Sequence, residues 1–120
     1  MSEYKEIIID HYKNPRNQGE LEGADKIIDE ANSSCGDLIK IYVKLTDGKI
    51  TEMKWQGIGC AISTAGASML SEKVVGMDKT KLFKFGEAGV VEMLGGEITL
   101  GRMKCATLAF RGLLKVFNNN

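Results

Sequence analysis

The clearest pattern of hydrophobic and polar residues lies between residues 37 and 56, and it predicts a β-hairpin. Apolar residues alternate with polar ones in the first half of this stretch, which is the period of a strand with one buried face. The alternating residues are Ile39, Ile41, Val43 and Leu45. Asp47-Gly48 follows and is typical of a tight turn between two strands. A weaker strand is predicted at residues 24–31, around Ile27 and Ile28.

The length of the hairpin loop decides which side chains share a face. A two-residue loop would pair Val43 with Glu52 and mix apolar and polar residues on each face. A three-residue loop at residues 46–48 gives one largely apolar face instead. Its pairs are Val43 with Thr51, Ile41 with Met53 and Ile39 with Trp55. We predict the longer loop, with Gly48 in the left-handed region, and expect the open end of the hairpin to bring Cys35 toward Cys60.

Apolar residues at helical spacing predict helices on both sides of the hairpin. The predicted helices are residues 2–13, 61–75 and 106–117, with two short helical turns within residues 78–100. Ser2 would cap the first helix, His11 lies on its apolar side, and Asn14-Pro15 ends it. Gly66 in the middle of the second helix indicates close packing at that point, because glycine is otherwise unfavourable there.

Length, charge and cysteine content narrow the functional classes. The 120 residues suit one domain, residues 1–120, with a single core. Lys+Arg and Asp+Glu both number 16, so no net charge points to nucleic acid or to a membrane surface as a partner. No apolar run is long enough to cross a bilayer, and the first residues do not resemble a signal peptide. We therefore expect the three cysteines to be reduced thiols in the cytoplasm.

Two of the cysteines are predicted to lie at helix N-termini. Gly57-Ile58-Gly59-Cys60 reads as a strand end and a glycine turn directly before a helix, and Cys105 directly precedes the last predicted helix. A thiol in such a position meets unpaired N–H groups and the positive end of the helix dipole, which lowers its pKa and favours thiolate.

The third cysteine belongs to Cys35-Gly36-Asp37, in which an extended backbone would point thiol and carboxylate the same way. With Cys60 and Cys105 this gives three sulfurs and one oxygen, a set that suits tetrahedral zinc or an iron–sulfur cluster. The ionised ligands sum to −4, and a divalent metal or an oxidised two-iron cluster leaves about −2. Arg102 and Lys104 could offset part of that charge.

Each of these residues also has a structural interpretation. Free cysteines often serve as small buried hydrophobes, Asp37 could merely begin a strand, and His11 could simply be packed. The separations between successive cysteines, 25 residues (35 to 60) and 45 residues (60 to 105), are not metal-ligand spacings by themselves. The residue patterns alone therefore leave a zinc site, a cluster site and three buried thiols open.

Four motifs carry most of the unusual residues. They are Asp10–Asn17, Cys35-Gly36-Asp37, Gly57–Ser63 and Arg102–Leu108. Together they resemble the IscU/SufU/NifU-N-terminal family of iron–sulfur cluster assembly scaffolds, over nearly all of the chain except residues 77–100. The resemblance implies an α+β fold in which a three-stranded antiparallel sheet packs against helices.

The same resemblance implies a scaffold for de novo assembly of a [2Fe–2S] cluster, and not an enzyme. Cys35, Asp37, Cys60 and Cys105 would bind iron or the cluster, with zinc possible in the same site, and Asp37 would keep the cluster labile. A cysteine desulfurase would deliver sulfur as a persulfide to Cys105 or Cys35, and apo iron–sulfur proteins would receive the cluster. The chain would be a monomer, or a dimer or trimer with bound cluster.

Two features separate the chain from IscU-type members. Lys104 stands where they carry a histidine, and residues 98–102 lack their Leu-Pro-Pro-Val-Lys chaperone motif. The run Arg102–Leu108 is closer to SufU, but the segment before it is too short for the insertion found in SufU. A SufU-like zinc-dependent sulfurtransferase that stimulates a cysteine desulfurase is therefore the alternative function. A non-catalytic module with structural zinc or buried thiols is the third.

Overall fold

Three strands and five α-helices follow one another in residues 5–118, the part of the chain described by the structure, which is a computed structural model. The helices are α1 (Glu6–Lys13), α2 (Ala61–Lys73), α3 (Lys79–Met93), α4 (Met103–Ala106) and α5 (Leu108–Leu114). The strands are β1 (Lys26–Asn32), β2 (Asp37–Thr46) and β3 (Lys49–Ile58). They form one antiparallel sheet in the order β1-β2-β3, so the predicted α+β architecture is confirmed.

The β2–β3 hairpin turns over two residues, and the predicted three-residue loop is wrong. Asp47 and Gly48 both have positive φ, at 54° and 77°, so the left-handed conformation expected at Gly48 is confirmed. A bulge between the pairs of Lys44 and Leu45 then adds one residue, Thr51, to β3. The observed pairs are Val43 with Met53, Ile41 with Trp55 and Ile39 with Gly57. The extra residue that keeps the apolar side chains on one face thus lies in the strand and not in the loop.

The apolar face of the sheet forms one side of the core, and α2 and α5 cover it. Its most buried side chains are Ile39, Ile41, Val43, Ile50, Met53 and Trp55. The middle of α2 is buried on all sides, from Ala65 to Ser71. At Gly66, an added Cβ would lie 3.1 Å from the carbonyl oxygen of Ala106, so the predicted close packing is confirmed. The absence of a side chain at Gly66 therefore lets α2 and α4 approach each other closely.

The segment after α2 forms one kinked helix instead of the two separate turns predicted within residues 78–100. α3 bends at Gly86, whose φ of 61° and ψ of −178° are not helical, and it ends before Gly95-Gly96. Phe85 packs on Phe110 of α5, with 6.5 Å between the ring centroids. α3 therefore packs against α5.

The last predicted helix, residues 106–117, begins earlier than expected and is interrupted. The chain is helical from Met103, breaks at Thr107 (φ −99°, ψ 7°), resumes as α5, and ends in a 3₁₀ turn at Lys115–Phe117. Cys105 consequently lies inside the short helix α4, and the prediction that it precedes a helix is wrong.

The motif Asp10–Asn17 attaches the N-terminal helix to the rest of the core. Ser2, the predicted cap of this helix, lies outside the described residues, but the predicted end at Asn14 is confirmed. The Nδ1 atom of His11 lies 2.7 Å from Ser68 Oγ, which also accepts the Arg16 N–H. Within residues 5–118, no helix is long and apolar enough to span a membrane.

Buried His11 gives a test of this packing. Burial lowers the pKa of His11 below its ordinary value of 6.5, and the charge of Arg16 acts in the same direction, against a smaller opposite effect of Glu72 and Asp10. Below the ordinary pKa the unfolded chain therefore takes up a proton that the folded chain resists, and folding stability falls. We expect the stability advantage of the wild type over His11→Gln to shrink as the pH is lowered from about 7.5 to about 5.5.

Urea unfolding of both proteins at the two pH values measures this difference. The comparison cancels the titration of other groups, since both chains share them. An advantage that stays constant or grows on acidification would contradict the neutral, buried state of His11.

Candidate metal centre

Three of the four predicted ligands come together at one end of the sheet. Cys35, Asp37 and Cys105 each offer a donor atom, and these atoms all lie within 4.8 Å of one another. The Cys105 thiol donates to the Cys35 sulfur at 3.6 Å. Asp37 begins β2, Cys105 lies in α4, and Cys35 lies in the turn that joins β1 to β2. This group of ligands therefore depends on the packing of α4 against the turn between β1 and β2.

The turn before β2 brings Cys35 to Asp37, but not through the extended backbone that the sequence predicted. The carbonyl oxygen of Asn32 accepts the N–H groups of Cys35 and Gly36, at 3.2 and 2.9 Å. Gly36 has a φ of 74°, which a residue with a side chain rarely adopts. The chain thus folds back on itself between the thiol and the carboxylate.

Asp37 is the most unusual member of the set. Its side chain is buried, with the residue 2% exposed, and its Oδ2 atom has no hydrogen-bond partner among the described residues. A buried carboxylate oxygen without a partner is costly, so it indicates a place for a cation. A Cβ at Gly59 would come 3.1 Å from Asp37 Oδ1 and would displace Ser63 Oγ, so the backbone at Gly59 lies close against this carboxylate. The donor set and its unpaired oxygen together fit a thiophilic metal or an iron–sulfur cluster.

Cys60 stands beside this group and is not one of the three residues whose donor atoms all lie within 4.8 Å of one another. It is the N-cap of α2, as predicted. Burial raises the pKa of its thiol, but hydrogen bonds from Ser63, Ile62 and the Cys105 thiol outweigh burial, and the pKa lies below its ordinary value. The Cys60 thiol therefore ionises more readily than the Cys105 thiol.

Cys105 has the opposite character, contrary to the prediction of a second helix-terminus thiolate. The residue is fully buried, and burial, followed by the neighbouring Cys35, Asp37 and Cys60, raises its pKa to about 12. In the absence of a cation its thiol stays protonated. A bound cation would reverse this preference, because metal ions deprotonate the thiols that coordinate them.

Asn32 also belongs to the site, and the sequence analysis missed it. Its side-chain amide donates to the Cys105 sulfur at 3.7 Å, and the residue is only 4% exposed. A polar residue at a strand end ordinarily indicates a loop, so only its position three residues before Cys35 could have drawn attention to it. His11, by contrast, is held by Ser68 and is not among the grouped ligands.

Basic side chains lie beside the cysteines on the solvent side. Lys104 and Arg111 line a cavity of about 400 Å³ together with Ser33-Ser34 of the cysteine turn. Arg111 donates to the Lys104 carbonyl oxygen at 3.2 Å and to Thr107 Oγ1 at 2.6 Å, so it bridges the break between α4 and α5. The offset of the ligands' negative charge by Arg102 and Lys104 stays a prediction.

Curated relatives of this chain include assembly scaffolds and a sulfurtransferase. It is 36% identical over 121 residues to the iron-sulfur cluster assembly scaffold protein IscU 1 of Archaeoglobus fulgidus, covering 98% of this chain and 78% of that protein. It is also 36% identical over 129 residues to the zinc-dependent sulfurtransferase SufU of Bacillus subtilis, covering 93% of this chain and 87% of that one. Relatives with both kinds of name thus match most of the chain.

A solved structure with the same fold and a match to a protein family point to the same group of proteins as these relatives. The N-terminal part of a NifU-like protein from Brucella abortus superposes with a TM-score of 0.76 over 92% of this chain and 89% of that chain, at 20% identity, and shows the shared fold. Residues 3–118 match the family described as NifU-like N terminal domain. The chain therefore belongs to the family of NifU-like N-terminal domains.

Proposed function

We propose that this chain is a scaffold on which a [2Fe–2S] cluster is assembled and from which the cluster passes to acceptor proteins. The observation that carries the proposal is the Asp37 carboxylate, which is buried beside Cys35 and Cys105 and has one oxygen without a hydrogen-bond partner in residues 5–118. A structural zinc site has no evident need for such an oxygen ligand, since thiolates and imidazoles ordinarily complete it. A site that must release its cargo needs a weak ligand, and for a thiophilic metal or a cluster an oxygen ligand is weaker than a thiolate. The names of the scaffold relatives support the same function.

The proposed ligands are Cys35, Cys60, Cys105 and Asp37, and the iron and the cluster are cargo. Iron–sulfur clusters prefer thiolate ligands, so three cysteines would hold the cluster and the carboxylate would complete the coordination weakly. The N-terminus of α2 behind Cys60 would stabilise negative charge on the loaded site. The buried position of Asp37 would keep water from competing for the same coordination position.

Sulfur would arrive from a cysteine desulfurase that carries a persulfide. We assign first acceptance to Cys35, because it is exposed and Cys105, the other candidate from the sequence, is fully buried. The Cys35 thiolate attacks the outer sulfur of the donor persulfide, a new S–S bond forms, and the donor cysteine leaves as a thiolate. A dithiol reductant then supplies two electrons and becomes a disulfide, which frees sulfide and restores the Cys35 thiolate.

Anaerobic reconstitution with ferrous iron and sulfide tests the scaffold. The wild type is expected to become brown, with sulfur-to-iron charge-transfer absorption in the visible region. Cys60→Ala is expected to lose most of this absorption, because a cluster needs its thiolate ligands. Ser34→Ala, a change in the turn beside Cys35, serves as the control and should load like the wild type. A wild-type protein that stays colourless would contradict the scaffold proposal.

Replacing Asp37 tests its role in release. Asp37→Ala is expected to hold the cluster several-fold longer than the wild type when a chelator is added, because the weak oxygen ligand that favours release is gone. The decay of visible absorption measures this lifetime. Asp29→Ala, which removes an exposed carboxylate from β1, is the matched control. Equal decay rates in Asp37→Ala and the wild type would rule out the labilising role.

A zinc-dependent sulfurtransferase is the second candidate, and two observations favour it. The SufU relative is as similar in sequence as the scaffold relative, and Lys104, which directly precedes Cys105, stands where IscU-type members carry a histidine. The metal content of the isolated protein and an assay with a cysteine desulfurase separate the two functions. A colourless protein that retains zinc and raises desulfurase turnover, and that takes up no cluster on reconstitution, would favour the sulfurtransferase.

A further inference from the structure

Asn32 places a neutral hydrogen-bond donor against the most buried sulfur of the site. Its side-chain N–H donates to the Cys105 sulfur at 3.7 Å, and the residue is 4% exposed. We propose that Asn32 is a positioning residue that sets the electron density on the Cys105 sulfur when the site is loaded. The inference rests on the proposed function, since it concerns the sulfur that would hold the cluster.

One residue holds both halves of the site. Asn32 pairs with Asp37 across β1 and β2. Its main-chain carbonyl oxygen accepts the N–H groups of Cys35 and Gly36, while its side chain reaches Cys105. A substitution that keeps the backbone therefore removes only the contact to Cys105 and leaves the cysteine turn closed.

Ion pairs on the same strand join β1 to the helical segment that carries Cys105. Glu30, two residues earlier in β1, pairs with Arg111, with 3.7 Å between Nε and Oε2, and also with Lys115. Arg111 in turn donates to the Lys104 carbonyl oxygen next to Cys105. β1 and the helical segment that carries Cys105 are thus joined by further contacts besides the one between Asn32 and Cys105.

The chemistry of an amide suits tuning and not ligation. Its nitrogen has no free lone pair for a metal, and its neutral charge leaves the net charge of the ligand set unchanged. Hydrogen bonds to the sulfur ligands are among the factors that set cluster reduction potentials, because they withdraw electron density from sulfur and stabilise the reduced state. Loss of the donor should therefore lower the reduction potential and also lower the energy of sulfur-to-metal charge transfer.

A purely structural role makes a different prediction. If the amide contacts sulfur only because it is buried there, its removal changes thermal stability and leaves the electronic spectrum and the potential unaltered. The two roles therefore differ in observables that do not depend on assembly or transfer activity.

The test uses Asn32→Leu, which has a similar size and no donor, and Asn32→Ser, whose side chain is too short to reach the sulfur. Each protein is loaded with Co²⁺ as a spectroscopic probe and, separately, with a reconstituted cluster. Tyr42→Phe is the matched control, because it removes one hydrogen bond (Tyr42 to Gln56, 2.9 Å) from the same sheet without touching a sulfur. Circular dichroism establishes which variants fold, and Asn32→Ser carries the test if Asn32→Leu does not.

We expect both Asn32 variants to shift the sulfur-to-cobalt band to longer wavelength and the cluster midpoint potential to a lower value. Co²⁺ affinity should fall about ten-fold or more, as for other hydrogen-bond partners of metal ligands. Tyr42→Phe should match the wild type in all three measurements. Folded Asn32 variants with the wild-type band position and potential would overturn the inference, whatever their stability.

The same measurements separate this inference from the scaffold proposal. If the cobalt band shifts in Asn32→Leu but the wild type assembles no cluster, the role of the Asn32 hydrogen bond is supported and the scaffold function is overturned. A wild-type protein that binds neither Co²⁺ through sulfur nor a cluster would overturn both.

Discussion

The close contact between α2 and α4 is the constraint on which the site depends. Cys60 begins α2 and Cys105 lies in α4, so the distance between these helices decides whether their thiols can share a ligand. Gly66 and the small buried residues around it allow that approach, since any side chain at Gly66 would press on the Ala106 carbonyl oxygen. The functional end of the molecule is thus determined partly by residues in the middle of a helix that touch no ligand.

The thiols of Cys60 and Cys105 interact, yet their environments drive their protonation in opposite directions. Cys60 has helix N–H groups and a serine hydroxyl nearby, which favour its thiolate. Cys105 is buried, and two other thiols and a carboxylate lie nearby, so its neutral form is favoured. An incoming cation therefore meets one thiol whose ionisation is favoured and another that must first release a proton. Loading of such a site is coupled to proton release.

Much of the fold could be predicted from the sequence, because it follows from local patterns. The alternation from Ile39 to Leu45 correctly separated the two faces of β2, and Gly48 has the positive φ predicted for the hairpin turn. The bulge at Thr51 could not be predicted in this way, since its cause is the match between two strands and not the residue itself. The early start of the last helix at Met103 likewise reflects packing against α2.

The candidate site, too, could be predicted from the sequence only in part. The motifs singled out Cys35, Asp37, Cys60 and Cys105, but the unpaired oxygen of Asp37 and the difference between the thiols exist only in three dimensions. Asn32 escaped notice because its partner is 73 residues away in the chain. Likewise, the helical pattern placed His11 on an inner face, and its bond to Ser68, 57 residues away, became apparent only in the folded chain.

The bulge in β3 also bears on how a protein of this fold can change in length. Thr51 adds one residue between the turn and the apolar side chains of Met53 and Trp55. Deletion of Thr51 would remove the bulge and leave these side chains paired as before, with Val43 and Ile41. Deletion of a residue between Met53 and Trp55 would instead turn the rest of the strand over, so that Trp55 would point to solvent and Gly59 would no longer lie against the Asp37 carboxylate. The bulge is therefore the place in β3 where a single residue can be lost without changing which side chains face the core.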